Sequence, residues 1–347
     1  MLLDPFMPMA RQKHLWTPRR LGRVAWSVVR NLRGQIELLR IFSLPAFRSL
    51  VPLDPLLLFR HLSREYLFRG LSSSQRTASI LNHYRFLISR MSKPALRQFG
   101  RWEVVAMEHR QDGRSFAVTL GLPRKEDIWE GESILQLKVD DAPVYVLQFT
   151  IVPGRLLHSE QRNVVFIQRV QGVKGCFEQV SAATRAFGDI APPLLLATVL
   201  RGIAAAWEIR ELAGISAKSQ ACNRFLDVES SSSLLRAAYD DFFVQLGATR
   251  VSTDFYSLPL PLEGRPIKQG GNGHNARTRK RRALRDEIAN RVCQAFREVG
   301  VIDALPGFSR PDTLSPEIAA EEPSRETGFS VANECESDLR RMPDKAG

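Results

Sequence analysis

Apolar residues recur at three- and four-residue intervals through the first hundred positions. Val24, Val28, Leu32, Ile36 and Leu39 share one stripe, and Arg23, Arg30, Arg33 and Arg40 are interleaved with it, the pattern of a basic amphipathic helix. Helical spacing resumes over Asp54–Arg69 and Ser74–Met91, with Gly70-Leu71-Ser72-Ser73 between them and Pro45, Pro52 and Pro94 as breaks. Three or four helices are therefore predicted for residues 20–98. Near Arg101 the period changes. Trp102–Glu108, Ser115–Leu120, Ile134–Val139, Val144–Ile151 and Val164–Val170 are short runs of β-branched and aromatic residues, with Gly113, Asp140-Asp141 and Pro153-Gly154 as turn signals. They predict an antiparallel meander.

Beyond it the pattern alternates. Gly175–Phe187 reads as a helix, and Pro192–Ile209 sets Leu195, Val199, Ile203 and Trp207 on one face. Glu211–Ser216 reads as a strand, Leu234–Leu246 as a helix and Thr249–Leu258 as a last strand. Strands first and then helix–strand alternation predict an α+β or mixed α/β fold, with N-terminal helices ahead of an antiparallel-rich sheet and its packing helices. Ser257–Asn275 reads as a loop before a final helix, Thr278–Val299, and the prolines and acids after Asp303 read as a disordered tail. The expected organisation is an arm over 1–19, a basic helical region over 20–99, a mixed domain over 100–302 and an acidic tail over 303–347.

Charge divides the chain the same way. The tail from Asp303 holds ten acids and five bases, so of the formal +12 of all 347 residues the tail carries −5 and the body +17. A field of that sign attracts phosphate-rich partners: anionic lipid, nucleotide cofactors, nucleic acid. Nucleic acid is the lesser candidate, because no helix-turn-helix, zinc finger or aromatic RNA-binding signature accompanies the charge. The four cysteines, Cys176, Cys222, Cys293 and Cys335, are widely spaced, which fits a reducing compartment and gives no disulfide framework. Asp4 and two prolines interrupt the apolar start, so no secretory signal is read there, and no apolar run is long enough for a transmembrane helix. A cytoplasmic protein, peripheral to the inner membrane, is expected. The six histidines lack ligand spacing, so no metal is expected.

The candidate chemistry centres on Val164–Val170, whose run ends in Gln171-Gly172-Val173-Lys174-Gly175 ahead of a helix. Glycines let a backbone approach a ligand closely, and a helix N-terminus offers unpaired N–H groups to an anion. The spacing matches neither a Walker A loop nor a dinucleotide fingerprint, and such a turn also serves as plain connection. A second candidate is the cluster Arg277, Arg279, Lys280, Arg281, Arg282 and Arg285, read as straddling a helix start, where the macrodipole disfavours cations and an anionic partner would relieve the cost. Pairing with acids of the same domain is the alternative.

Four stretches resemble the VirK/YbjX family of bacterial proteins, over about Leu38 to Val299: His83-Tyr84-Arg85-Phe86-Leu87; Val165–Gly172; Tyr239-Asp240-Asp241-Phe242-Phe243 followed by Leu246-Gly247; and Arg277–Leu284. The resemblance implies a virulence- or envelope-related context. Members of that family often carry a histidine and an aromatic soon after the strand ending in Val-Ser. This chain has Ile215-Ser216-Ala217-Lys218-Ser219-Gln220-Ala221-Cys222 instead, so any role of that histidine is lost or altered here. The order strand, glycine turn, long helix, strand, then a helix with Tyr239 ahead of Leu246-Gly247 is also similar to the core of GCN5-related N-acyltransferases, whose glycine turn binds the pyrophosphate of coenzyme A.

That similarity implies an acyl-CoA donor, with the amides of Gly172–Gly175 on the pyrophosphate and Lys174 or Arg169 adding charge. Tyr239 would protonate the departing thiolate, and Glu178, Glu208 or Asp240 would serve as base. An aromatic at Tyr239's spacing beside Phe242 and Phe243 is equally a core residue, and helix acids are commonly solvated. His83 reads as a packed or capping histidine, and Ser230–Ser233 as loop and cap. Two classes stay open: an acyltransferase-like enzyme, and a noncatalytic factor that binds anionic lipid or a protein through its basic helices.

Overall fold

The computed structural model describes residues 18–45, 47–48, 55–63, 66–68, 70–101, 104–123, 130–220, 237–261 and 272–299. Residues 1–17 of the predicted arm, Trp102, Ser230–Ser233, Cys222, Cys335 and the tail after 302 lie outside the described residues, as do the side chains of Arg23 and Val24.

The α+β fold is built on a mixed sheet of eight strands in the order β1-β2-β3-β4-β5-β6-β8-β7. The first five are β1 (Val104–Gln111), β2 (Arg114–Gly121), β3 (Ser133–Val139), β4 (Ala142–Pro153) and β5 (Asn163–Gly172), each antiparallel to its neighbour. The predicted meander is present because each run is rich in β-branched and aromatic residues; tight turns close β1–β2 and β3–β4, where Asp112, Gly113, Asp140 and Asp141 take positive φ. After β5 the chain crosses over through α5 (Phe177–Ala186) and α6 (Pro192–Ala206) to β6 (Glu211–Ile215), which pairs parallel to β5. A short π turn (Ala237–Asp241) and α7 (Phe242–Leu246) lead to the hairpin β7 (Thr249–Arg250) and β8 (Phe255–Pro259), with β8 beside β6. The long α8 (Asn272–Val299) closes the fold by packing on α6.

The helix face predicted from spacing forms as read. Leu195, Val199 and Ile203 of α6 are fully buried, and Trp207, its C-cap, is buried between Phe86 and Phe296. Ahead of the sheet come α1 (Pro18–Arg30), α2 (Leu32–Phe42), α3 (Ser73–Arg90) and α4 (Lys93–Gly100). Ser72 and Gln75 form a capping box at α3, and the Ser92 side chain caps α4. Leu38, Phe42, Tyr84 and Phe99 belong to the same core as the strands.

Three expectations need correction. Asp54–Arg69 is not a helix: its described part holds two 3-10 turns, Pro55–Leu58 and Arg60–Leu62, and Leu67 sits at φ 68°. Among its described residues Leu57, Leu58, Leu62, Tyr66, Leu67 and Phe68 are all buried, as are the charged or polar Arg60 and His61, so burial here does not follow the one-sided pattern of an amphipathic helix. Thr249–Leu258 is two strands, because Ser252–Asp254 turn back and the Val251 N–H bonds to the Phe255 carbonyl. The last helix begins at Asn272, six residues before the predicted Thr278. In α2, Gln35, Leu38, Ile41 and Phe42 are the buried face, and Leu32, Ile36 and Leu39 of the predicted stripe point to solvent.

Candidate functional site

The residues of three family-like stretches meet along the middle of the sheet. Strand β3 begins at Ser133, so Ile151 of the longer β4 has no β3 partner for its backbone groups. Helix α3 supplies them. Asn82 Nδ2 donates to the Ile151 carbonyl at 3.0 Å, and the Ile151 N–H donates to His83 Nδ1 at 3.0 Å. With Nδ1 accepting, Nε2 carries the ring proton and faces Ser133 Oγ at 3.0 Å. Burial lowers the His83 pKa to about 3, so the ring stays neutral. Its neighbour Tyr84 donates to Glu132 Oε2 at 2.7 Å, and the same oxygen stands 4.0 Å from Arg60 Nη1.

One step along the sheet, β5 bulges. Gln148 of β4 faces Arg169 while Phe149 faces Ile167, so Gln168 is the extra residue. Bulges re-aim side chains and are enriched beside functional sites. On its other edge β5 pairs with β6 only at Val165, Phe166 and Ile167, opposite Leu212, Ala213 and Gly214. From Gln168 onward the two parallel strands part, and ligands of open sheets bind at such changes of strand order, outside the C-terminal ends. Gln220, just after β6, reaches back and donates from Nε2 to the Gln168 carbonyl. Ser216–Gln220 thus lies at this parting.

The lining is polar and buried. Gln148, Gln168, Arg169, Glu130 and Gln220 are all buried, none more than 6% exposed, and the Gln168 Oε1 lies against Gly131. Arg169 donates from Nε and Nη2 to Gln171 Oε1 at 2.9 and 2.7 Å, and its Nε is 3.7 Å from Glu130. Both side-chain amide atoms of Gln148, both of Gln168, and Arg169 Nη1 have no partner among the described residues. Each such buried group costs about 1–3 kcal/mol, so the site favours a ligand that supplies partners. Burial raises the Glu130 pKa to about 7 against the opposing pull of Arg169, the property of a base that works near neutrality.

The sign of that shift gives a test. Above the ordinary value of 4.5 the unfolded chain loses this proton first, so the folded state is penalised as pH rises from 4.5 to about 7. At pH 8 the penalty is about 3 kcal/mol. Glu130→Gln should therefore raise stability towards urea at pH 8 and change it little at pH 4.5; an equal effect at both pH values would show that Glu130 is not a buried titrating acid.

The other predicted residues are distributed as follows. Gly172 abuts the Tyr145 ring, Val173 continues the β4 ladder through Val144, and Gly175 takes φ 79° to start α5. The Cys176 side chain makes no cap bond to α5, and Lys174 and Glu178 are exposed beside that helix start. Arg169 points into the buried seam with Gln171 and Glu130. Tyr239 is buried in the π turn that lies against β5; Asp240 is committed to the Ala217 N–H at 2.9 Å, and Glu208 pairs with Arg90 at 2.8 Å.

Arg277, Arg279, Lys280 and Arg281 are exposed, and Arg282 and Arg285 half-buried. Because α8 starts at Asn272, this cluster sits more than a turn inside the helix, where the dipole penalty has faded. Arg281 pairs with Asp189 at 3.1 Å. Among the described residues no group of His, Cys, Asp and Glu is placed to hold a metal, and no helix is long and apolar enough to cross a membrane.

Sequence reasoning passed over Glu130, Glu132, Gln148, Gln168 and Gln220. The available signal was polar residues inside otherwise apolar strand runs, together with Glu130-Gly131-Glu132 ahead of β3. A surface cleft of about 400 Å³ lies at the other end of β5, lined by Asn82, Arg85, Arg155 and Arg162 among others. It holds no comparable buried polar groups, and Arg85 there is already paired with Glu37.

Fold and site together define an α+β protein whose mixed sheet carries a buried polar seam at its one parallel junction. A family model described as "Protein of unknown function (DUF535)" matches residues 25–294, and the chain belongs to that family. No curated protein and no solved structure matches it.

Proposed function

We propose that this protein is an acyltransferase that takes its acyl group from an acyl-CoA and works in an envelope- or virulence-related context, as the VirK/YbjX resemblance implies. The observation that carries the reading is the parting of β5 from β6 at the Gln168 bulge, where five polar atoms of Gln148, Gln168 and Arg169 are buried without partners. A pantetheine arm carries two amides, which are complementary to such groups and to a strand edge freed of its neighbour. The Gln171–Gly175 turn and the start of α5 lie at the same end of β5, where Lys174 and the N–H groups of the first turn of α5 suit a pyrophosphate, the Val173 N–H being held by the Val144 carbonyl. The resemblance to GCN5-related N-acyltransferases is supported by this order of elements.

In the proposed reaction the acceptor's nitrogen or oxygen attacks the thioester carbonyl. A carbon–nitrogen or carbon–oxygen bond forms and the carbon–sulfur bond breaks; Glu130 takes the acceptor's proton and Tyr239 gives one to the departing thiolate. Titration calorimetry with acetyl-CoA tests the donor half. Wild type should bind, and Lys174→Glu, at an exposed side chain, should weaken binding about tenfold or more while the melting temperature stays near that of wild type; adding Gly172→Val, which crowds the Tyr145 ring, should weaken it further. Absence of binding to wild type, or undiminished binding to the Lys174→Glu variant, would reject the site.

A further inference from the structure

We propose that α1 and α2 form a docking face for an anionic bilayer surface. Trp26, Val29, Leu32, Ile36 and Leu39 are each between 42% and 67% exposed, Trp26 the most. Their three- and four-residue spacing makes one continuous stripe, because Asn31 joins the two helices with the chain still turning: its N–H bonds to the Ser27 and Val28 carbonyls and the Gln35 N–H bonds to its own. Opposite this stripe, Gln35, Leu38, Ile41 and Phe42 are buried on the body. Asn31 Nδ2 donates to Ser73 Oγ at 2.7 Å and Gln35 Nε2 to the Leu58 carbonyl at 2.9 Å, so the helices are fixed with the apolar stripe outward. A row of large apolar side chains held in water needs an occupant.

Charge selects which one. Arg30, Arg33 and Arg40 are exposed on the same helices. Residues 1–50 contain nine bases and only two acids, and one of those acids, Glu37, is neutralised by Arg85. A second copy meeting this face across a two-fold axis would bring like arginines together. An anionic lipid surface satisfies both parts: the arginines meet headgroup phosphates, and the stripe enters the boundary between headgroups and acyl chains, with tryptophan at the level it favours. The inference is independent of the acyltransferase reading; a protein docked this way would work on substrates at the membrane.

The experiment is co-sedimentation of the full chain with vesicles of phosphatidylcholine mixed with phosphatidylglycerol, against phosphatidylcholine alone, with sedimentation velocity on the protein by itself. Binding should require the anionic lipid, fall steeply with salt, and weaken about fivefold at low salt for each of Arg30, Arg33 and Arg40 changed to Gln. Trp26→Ser with Leu32→Ser should weaken it about tenfold or more, as lost apolar burial demands. All these side chains are exposed, so the variants keep the fold. No binding to the mixed vesicles overturns the proposal. So does binding lost through Arg279→Gln and Arg281→Gln on α8 but untouched by the α1–α2 changes, and so does a dimer in solution abolished by Trp26→Ser and Leu32→Ser.

Discussion

Lowering the pH from 7 to 4 is expected to remove about 6 kcal/mol of folding stability through two buried histidines. Burial lowers the His83 pKa to about 3, and burial with the nearby Arg76 guanidinium lowers that of His61 to about 4. Both rings are neutral in the folded protein while the unfolded chain protonates them near 6.5. Each therefore contributes fully above pH 6.5, and its contribution is lost as pH falls towards the folded value. By pH 4 each has lost about 3 kcal/mol. Glu130 works the other way, regaining about 3 kcal/mol over the same range as its carboxyl protonates. The net loss still takes a large share of the 5–15 kcal/mol typical of a domain. Urea unfolding at pH 7, 5.5 and 4 on wild type and on His61→Gln/His83→Gln reads it out. The double variant starts lower at pH 7, because the Ile151 N–H and Ser133 must find new partners, but its acid limb should be flatter by about 6 kcal/mol. Parallel limbs would mean that neither histidine is buried neutral.

Gly214→Ala is expected to lower stability by about 3 kcal/mol or more, enough to leave little folded protein in a marginal background. A Cβ at Gly214 would stand 2.0–2.4 Å from the ring of Phe243, far inside contact distance. Phe243 is 1% exposed, stacks on Tyr256 and meets Phe242 edge-on, so the ring has nowhere to move. Gly214 ends the three parallel pairs of β6 with β5, so the same clash would disturb the parting of the strands. Phe243→Leu should cost stability alone yet partly rescue Gly214→Ala, and the double-mutant cycle measures that coupling in thermal melts. Strict additivity of the two changes would contradict the contact.

This pairing also explains part of a family-like stretch. In Tyr239-Asp240-Asp241-Phe242-Phe243, Phe243 fills the space left by Gly214, Asp240 accepts the Ala217 N–H, and Gly247 at φ 91° ends α7. In His83-Tyr84-Arg85-Phe86-Leu87, His83 and Tyr84 tie α3 to β4 and to Glu132.

The amino-acid sequence by itself determined the elements whose pattern is local. Short runs of β-branched and aromatic residues with turn residues between some of them mark β1 to β5, and period 3.6 marks the buried face of α6, because strand preference and a one-sided helix face each leave a local pattern in the chain. It also marked Gln171–Gly175 as the passage from β5 to α5, since the positive φ at Gly175 is a backbone demand visible in one residue. Only the tertiary structure decided what depends on residues far apart. Arg60–Leu62 could not be told from helix because its partners, Glu132 for Arg60 and Arg76 for the His61 carbonyl, come from other parts of the chain. The stripe on α1 and α2 faces water because Leu38, Ile41 and Phe42 offer a competing face, and periodicity alone does not say which of two apolar arcs meets the core. The polar seam joins Glu130, Gln148, Gln168 and Gln220, up to ninety positions apart, through a bulge and a short parallel pairing. Pairing across a sheet is set by the mutual fit of its strands, and that fit is a property of the assembled fold.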